Sequence, residues 1–212
     1  MNQPYLHDSS VVLAAPVQCW ADSSGQAPGG GIQGVYVGDE RIASSLTWSV
    51  SGRTLEHIAT HEPGGAVATY RSVVRTPELG TDPAVTLTVE RSVDAAGLAD
   101  TLVLASAAEV PVPLDLQVVV VPDASAMEAV KQGAASGRSP EVDGLGWSWR
   151  DANTSAVLLP GEATASTDDG RITLAWSVVV PPRGRVSVTW RLDATDVATP
   201  FGATSRAALV AP

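Results

Sequence analysis

The chain is poor in several residue types. It has one cysteine, Cys19, so no internal disulfide can form. Cys19 lies in the apolar run "VVLAAPVQCW" and reads as a small buried hydrophobe. A nucleophilic thiol needs a nearby base and some exposure, and nothing in that run supplies them. Lys131 is the one lysine among 13 basic residues, in a chain rich in alanine and valine. That bias reads as the imprint of a GC-rich bacterial genome, so the arginines are given no collective role. Bases are also outnumbered, 13 against 23 acids, which sets the net charge at -10. An acidic surface repels phosphate backbones and anionic lipid, which argues against nucleic acid and membranes as partners. A neutral sugar is indifferent to it. No apolar run is long enough to span a bilayer. The opening "MNQPYLHDSS" lacks the basic start and apolar core of a signal peptide, so a cytoplasmic setting is expected.

What the chain does have is alternation. Hydrophobic residues make up 44% of 212, enough for a substantial core. In "VTLTVERSV", Val85, Leu87, Val89 and Val93 point one way and Thr86, Thr88, Glu90 and Ser92 the other. That period of two marks a half-buried strand. "ITLAWSVVV" and "RVSVTWRL" repeat it, while "LDLQVVVVP" is apolar enough for burial on both faces. "DAAG", "TDDG" and "PPRG" read as hairpin turns, and "SGR" at 51–53 separates two more strands. The pattern predicts an all-β antiparallel sandwich of roughly a dozen strands. One short helix is expected near 123–133, with Asp123 or Ser125 as N-cap and Gly133 as stop. A single domain over 1–198 and an irregular tail over 199–212 follow.

Motifs for chemistry are weak. "GGGIQG" at 29–34 formally matches a dinucleotide fingerprint. It follows a loop and precedes a strand, the reverse of what that site needs, so it reads as a loop entering a strand. His57 and His61 stand about 13 Å apart on a strand, too far to share a metal. No nucleophile elbow is present. No catalytic residue, metal site or cofactor is assigned. A glycosidase centre would need two carboxylates about 5 to 9.5 Å apart. Asp39 and Glu40 are adjacent and face opposite ways, so one of them would have to pair with Glu62, Asp123 or Asp143. Of the six tryptophans, Trp48, Trp176 and Trp190 fall in core alternation. Trp147 and Trp149 share a strand face and suit either the core or a sugar-stacking platform.

Two blocks carry a resemblance. "GVYVGDERIASSLTWSVSGRTLEHI" (34–58) and "LDLQVVVVPDASAMEAVKQG" (114–133) resemble the N-terminal domain of bacterial glycogen-debranching-enzyme-like proteins, the amylo-α-1,6-glucosidase type. Asp39, Arg41, Leu46 and Gly52 match in the first block. Asp123, Glu128, Val130 and Gly133 match in the second, where Ala124, Ala126 and Met127 depart from the pattern. The resemblance implies a supersandwich-like domain that precedes an (α/α) toroid. It places the hydrolytic acids in that toroid and leaves this chain without its own. The expected partner is therefore a C-terminal toroid of the same polypeptide, with α-glucan as a possible ligand. The tail would begin a linker to it. Asp39 and Arg41 are then expected to form a structural or interdomain ion pair, or else to touch glucan. A stand-alone carbohydrate-binding module using Trp147 and Trp149 is the alternative.

Overall fold

A computed structural model describes residues 9–53, 55–76, 82–134, 147–150 and 153–196. Fourteen strands and one helix are present among them. In chain order the strands are β1 (Ser9–Ala14), β2 (Val17–Asp22), β3 (Gly34–Val37), β4 (Glu40–Val50), β5 (Leu55–Gly64), β6 (Val67–Val74) and β7 (Val85–Asp94). They continue with β8 (Gly97–Ser106), β9 (Val112–Ala126), β10 (Trp147–Arg150), β11 (Thr154–Leu159), β12 (Thr164–Asp168), β13 (Arg171–Val180) and β14 (Arg185–Asp196). Helix α1 (Met127–Lys131) follows β9. Two seven-stranded sheets stack. The first runs β1-β2-β3-β4-β9-β13-β12 and the second β10-β11-β14-β8-β7-β6-β5. Every pairing is antiparallel. The expected all-β sandwich is what forms.

Alternation explains the layers. Along β7, Val85, Leu87, Val89 and Val93 are buried. Opposite them on β8 lie Leu98, Leu102 and Leu104, also buried. On β9 the run expected to be buried twice is buried once. Leu114, Leu116, Val118 and Val120 face the core, while Asp115 and Gln117 face out and Val119 and Val121 are half-covered. Charged and polar residues interleaved with the leucines decide this. β3 is the strand with all four residues buried. β5, at the edge of the second sheet, is exposed along most of its length and bulged twice, which blunts it against edge pairing.

The turns divide into two kinds. Residues 95–96 close the β7–β8 hairpin, with Asp94 opposite Gly97. Asp169 and Gly170 close β12–β13 with φ of 46° and 70°, the positive pair of a type I′ turn. "PPRG" behaves differently from expectation. β13 and β14 belong to different sheets, so it carries the chain across the sandwich. The apolar faces of the two strands point at each other across the core, which a hairpin in one sheet does not allow. "SGR" makes a similar crossing from β4 to β5.

The helix is shorter than expected and its N-cap is Ala126, without a side-chain cap. Asp123 and Ser125 instead lie inside the last residues of β9, which runs to Ala126. Gly133 does end it, with φ of 71°. Its N–H bonds to the Val130 carbonyl at 3.0 Å and the Ala134 N–H to that of Ala129 at 2.9 Å. That is a Schellman closure. No helix among the described residues is long and apolar enough to cross a membrane. Residues 199–212 lie outside the described residues.

Candidate functional site

The two sequence blocks meet in space. Arg41 near the start of β4 lies beside the end of β9, where it pairs in register with Ser125. The β4–β9 register slips between Arg41 and Ala43 and again before Ser45, and such bulges re-aim side chains. The Arg41 Nε donates to Asp123 Oδ2 at 2.5 Å, with side-chain exposures of 8% and 0%. The Arg41 Nη1 reaches the carbonyls of Gly31 and Gln33, both at 3.3 Å. Asp123 Oδ1 accepts from the Ala124 N–H at 2.8 Å and the Ser125 hydroxyl at 2.7 Å. Both charges are therefore paired and further hydrogen-bonded, the condition under which a buried ion pair is tolerated.

The glycine loop folds over this pair. Tyr36 is buried and its hydroxyl donates to the Ile32 carbonyl at 2.8 Å. Burial raises its pKa, with the Arg41 charge opposing. A β-carbon on Gly34 would lie 2.3 Å from the Ala43 carbonyl oxygen, so only glycine admits this approach. "GGGIQG" is thus a lid on a buried ion pair, leading into β3. On the other side the Met127 N–H donates to the Asp39 carbonyl at 2.7 Å, which ties α1 to the β3–β4 turn.

The expected Asp39–Arg41 pair does not form. Asp39 sits in the turn before β4, exposed, while Arg41 is turned inward by the bulges and taken by Asp123. The motif's base and its downstream acid, 82 residues apart, make the pair instead.

A second buried ion pair was not expected at all. Arg91 on β7 faces Asp100 on β8. Its Nε and Nη2 contact the two carboxylate oxygens at 2.9 and 2.8 Å, with both side chains fully buried. Its Nη1 donates to the Gly25 carbonyl at 2.9 Å and to Cys19 Sγ at 3.3 Å. The guanidinium lies 5.6 Å from the Trp48 ring centre and 5.5 Å from that of Tyr70. Burial, the largest single effect, opposes its charge, but the Asp100 charge and hydrogen bonds together with Cys19 and Tyr70 hold the pKa above the ordinary range. Burial pushes the Cys19 thiol and the Tyr70 hydroxyl up. Tyr70 continues outward through Ser10, 2.6 Å away, to Glu62. The signal for this pair stood in the sequence. Arg91 fills the inward slot between Val89 and Val93, and Asp100 the one between Leu98 and Leu102.

The remaining candidates scatter. Trp149 is 3% exposed and its indole N–H donates to the Ile42 carbonyl at 2.8 Å. Trp147 is half-buried and packs on the same core. Both side chains lie toward the core, and the burial of Trp149 does not suit it to a stacking platform. Asp123 is sealed under Arg41, and Glu62 lies in the other sheet, bonded to Ser10. Asp143 lies outside the described residues. His57 and His61 stand on the exposed edge strand β5. No group of three or more His, Cys, Asp or Glu is placed to hold a metal among the described residues.

Solved structures share the architecture. A protein named Slr1438 from Synechocystis sp. PCC 6803 matches with a TM-score of 0.57 at 10% identity, over 92% of this chain and 97% of that one. A galactose mutarotase-like protein from Clostridium acetobutylicum matches at 0.51 and 8% identity, over 88% and 94%. A candidate kojibiose phosphorylase from the human microbiome matches at 0.52 and 8% identity, over 87% of this chain but 29% of its own length. At such identities these likenesses show the fold alone. No curated protein matches the chain. The family model for the N-terminal domain of some glycogen debranching enzymes matches residues 12–191, and the chain belongs to that family.

Proposed function

We propose that this domain is the non-catalytic N-terminal part of a glycogen- or α-glucan-debranching glycoside hydrolase, packing on and orienting a following (α/α) toroid that carries the hydrolytic acids. The observation that carries this reading is the family match over residues 12–191. Two features support it. The chain spans 29% of the phosphorylase it resembles, so the same sandwich occurs as one module of a longer protein. The charged groups that the motifs single out, Arg41 and Asp123, are spent on each other inside the fold.

The test compares two proteins on a branched limit dextrin. One is the 212-residue chain, the other the full polypeptide of its native reading frame. Glucose release is expected from the longer protein only. Release by the shorter chain at a comparable rate would overturn the reading. So would a reading frame with no long helical stretch after this domain.

A further inference from the structure

Several turns are tied together at one end of the sandwich. At that end the Gly38 N–H bonds to the Pro16 carbonyl at 2.9 Å, and the Leu13 N–H to that of Gly65 at 2.5 Å. The Val93 N–H bonds to Ala66 and the Ala194 N–H to Ala96, at 2.9 and 2.7 Å. These bonds gather the β1–β2, β3–β4, β5–β6 and β7–β8 turns and the final residues of β14. A β-carbon on Gly38 would lie 3.0 Å from Asp196 Oδ2. The β3–β4 turn therefore touches the last described residue of β14.

Resting on the proposed function, we infer that the β3–β4 turn and helix α1 together form the docking surface for the helical domain that follows Asp196. Three observations point there. First, any chain continuing past Asp196 departs beside Gly38 and Asp39, so a tethered domain meets this end at the highest effective concentration. Second, the surface is rigid because of what lies beneath it. Arg41 and Asp123 clamp β4 to β9, and the Asp39 carbonyl holds the first turn of α1. A preformed surface loses little freedom on docking. Third, α1 buries only Val130 and leaves Glu128 and Lys131 in solvent. The Asp39 carboxylate beside it is exposed and has no partner among the described residues. The sheets do not need this helix for their core. An acidic turn next to an acidic helix start favours a partner surface that presents arginine or lysine.

The experiment uses the full polypeptide of the native reading frame. Cysteines are placed one at a time by Asp39→Cys and Glu128→Cys. Glu109→Cys and Glu162→Cys serve as controls, in the crossing and turn at the opposite end. Cys19 is fully buried and stays silent. Labelling by a thiol reagent is followed peptide by peptide by mass. Labelling at 39 and 128 is expected to be at least tenfold slower than at 109 and 162. Equal rates, or protection at 109 and 162 instead, would overturn the assignment. As a second reading, Asp39→Lys with Glu128→Lys is expected to split one calorimetric transition of the long polypeptide into two. An unchanged single transition counts against the surface. A frame with no following domain overturns both this and the proposed function, whereas a toroid that leaves 39 and 128 open overturns this alone.

Discussion

Replacing Asp100 by alanine tests the hidden electrostatics of the core. The guanidinium of Arg91 would keep the Gly25 carbonyl and the Cys19 sulfur but lose two charge-assisted bonds of 2.9 and 2.8 Å. Charge centres about 4 Å apart interact by roughly 4 kcal/mol at an effective dielectric constant of about 20. Stranding one partner of a buried pair costs about 3–5 kcal/mol. Domains are stable by about 5–15 kcal/mol, so Asp100→Ala removes a large share of the total. With a urea m-value near 2 kcal/mol/M, the midpoint falls by about 2 M. The assay is equilibrium unfolding followed by tryptophan fluorescence, since Trp48 lies against the pair. The double variant Arg91→Met with Asp100→Leu is the decisive control. It removes both charges at similar volume and should recover to within about 1 kcal/mol of the parent. A midpoint shift below about 0.5 M for Asp100→Ala refutes the reasoning. So does a double variant as unstable as the two single losses added together.

Other outcomes follow from the same geometry. Asp123→Ala should cost about 3 kcal/mol by stranding Arg41, while Asp39→Ala, exposed and without a partner among the described residues, should stay within about 0.5 kcal/mol. Equal effects in urea melts would contradict the partner assignment. Gly25→Ala should destabilise by more than about 2 kcal/mol, because the new carbon would lie 2.4 Å from the Tyr70 ring at a φ of 84°. A wild-type melting temperature would rule that clash out. Cys19 should not react with a thiol reagent in the native state. Its pKa and those of Tyr36 and Tyr70 are raised on folding. Their contribution is full below the unfolded values and is lost as pH climbs past them. Stability should therefore fall above about pH 9, and Cys19→Ala should flatten the first part of that fall. An unaltered slope between pH 9 and 10 would remove Cys19 from the account.

The fold was legible because alternation is a local property. Val85, Leu87 and Val89 announce a strand and its buried face without knowledge of any partner. Which strands share a sheet was less legible. "PPRG" has hairpin residues, yet β13 and β14 separate, because pairing depends on β9 and β8, which are distant in sequence. The site was half legible. Asp39, Arg41 and Asp123 all stood in recognised blocks. Local spacing suggested the near pair, and two bulges selected the far one. The Arg91–Asp100 pair was legible in principle, as charges in inward slots on the two arms of one hairpin. Trp147 and Trp149 were ambiguous because a strand's period says they share a face without saying which face it is.

The order of strands in the sheets has a consequence for synthesis. β9 sits between β4 and β13, and β14 sits between β11 and β8, so both layers are completed by the last segments of the domain. Until Arg171–Val180 and Arg185–Asp196 have emerged from the ribosome, β9 and β8 each present a bare row of amides and carbonyls. A nascent chain that stalls before that point is left with open edges able to join its neighbours on a polysome.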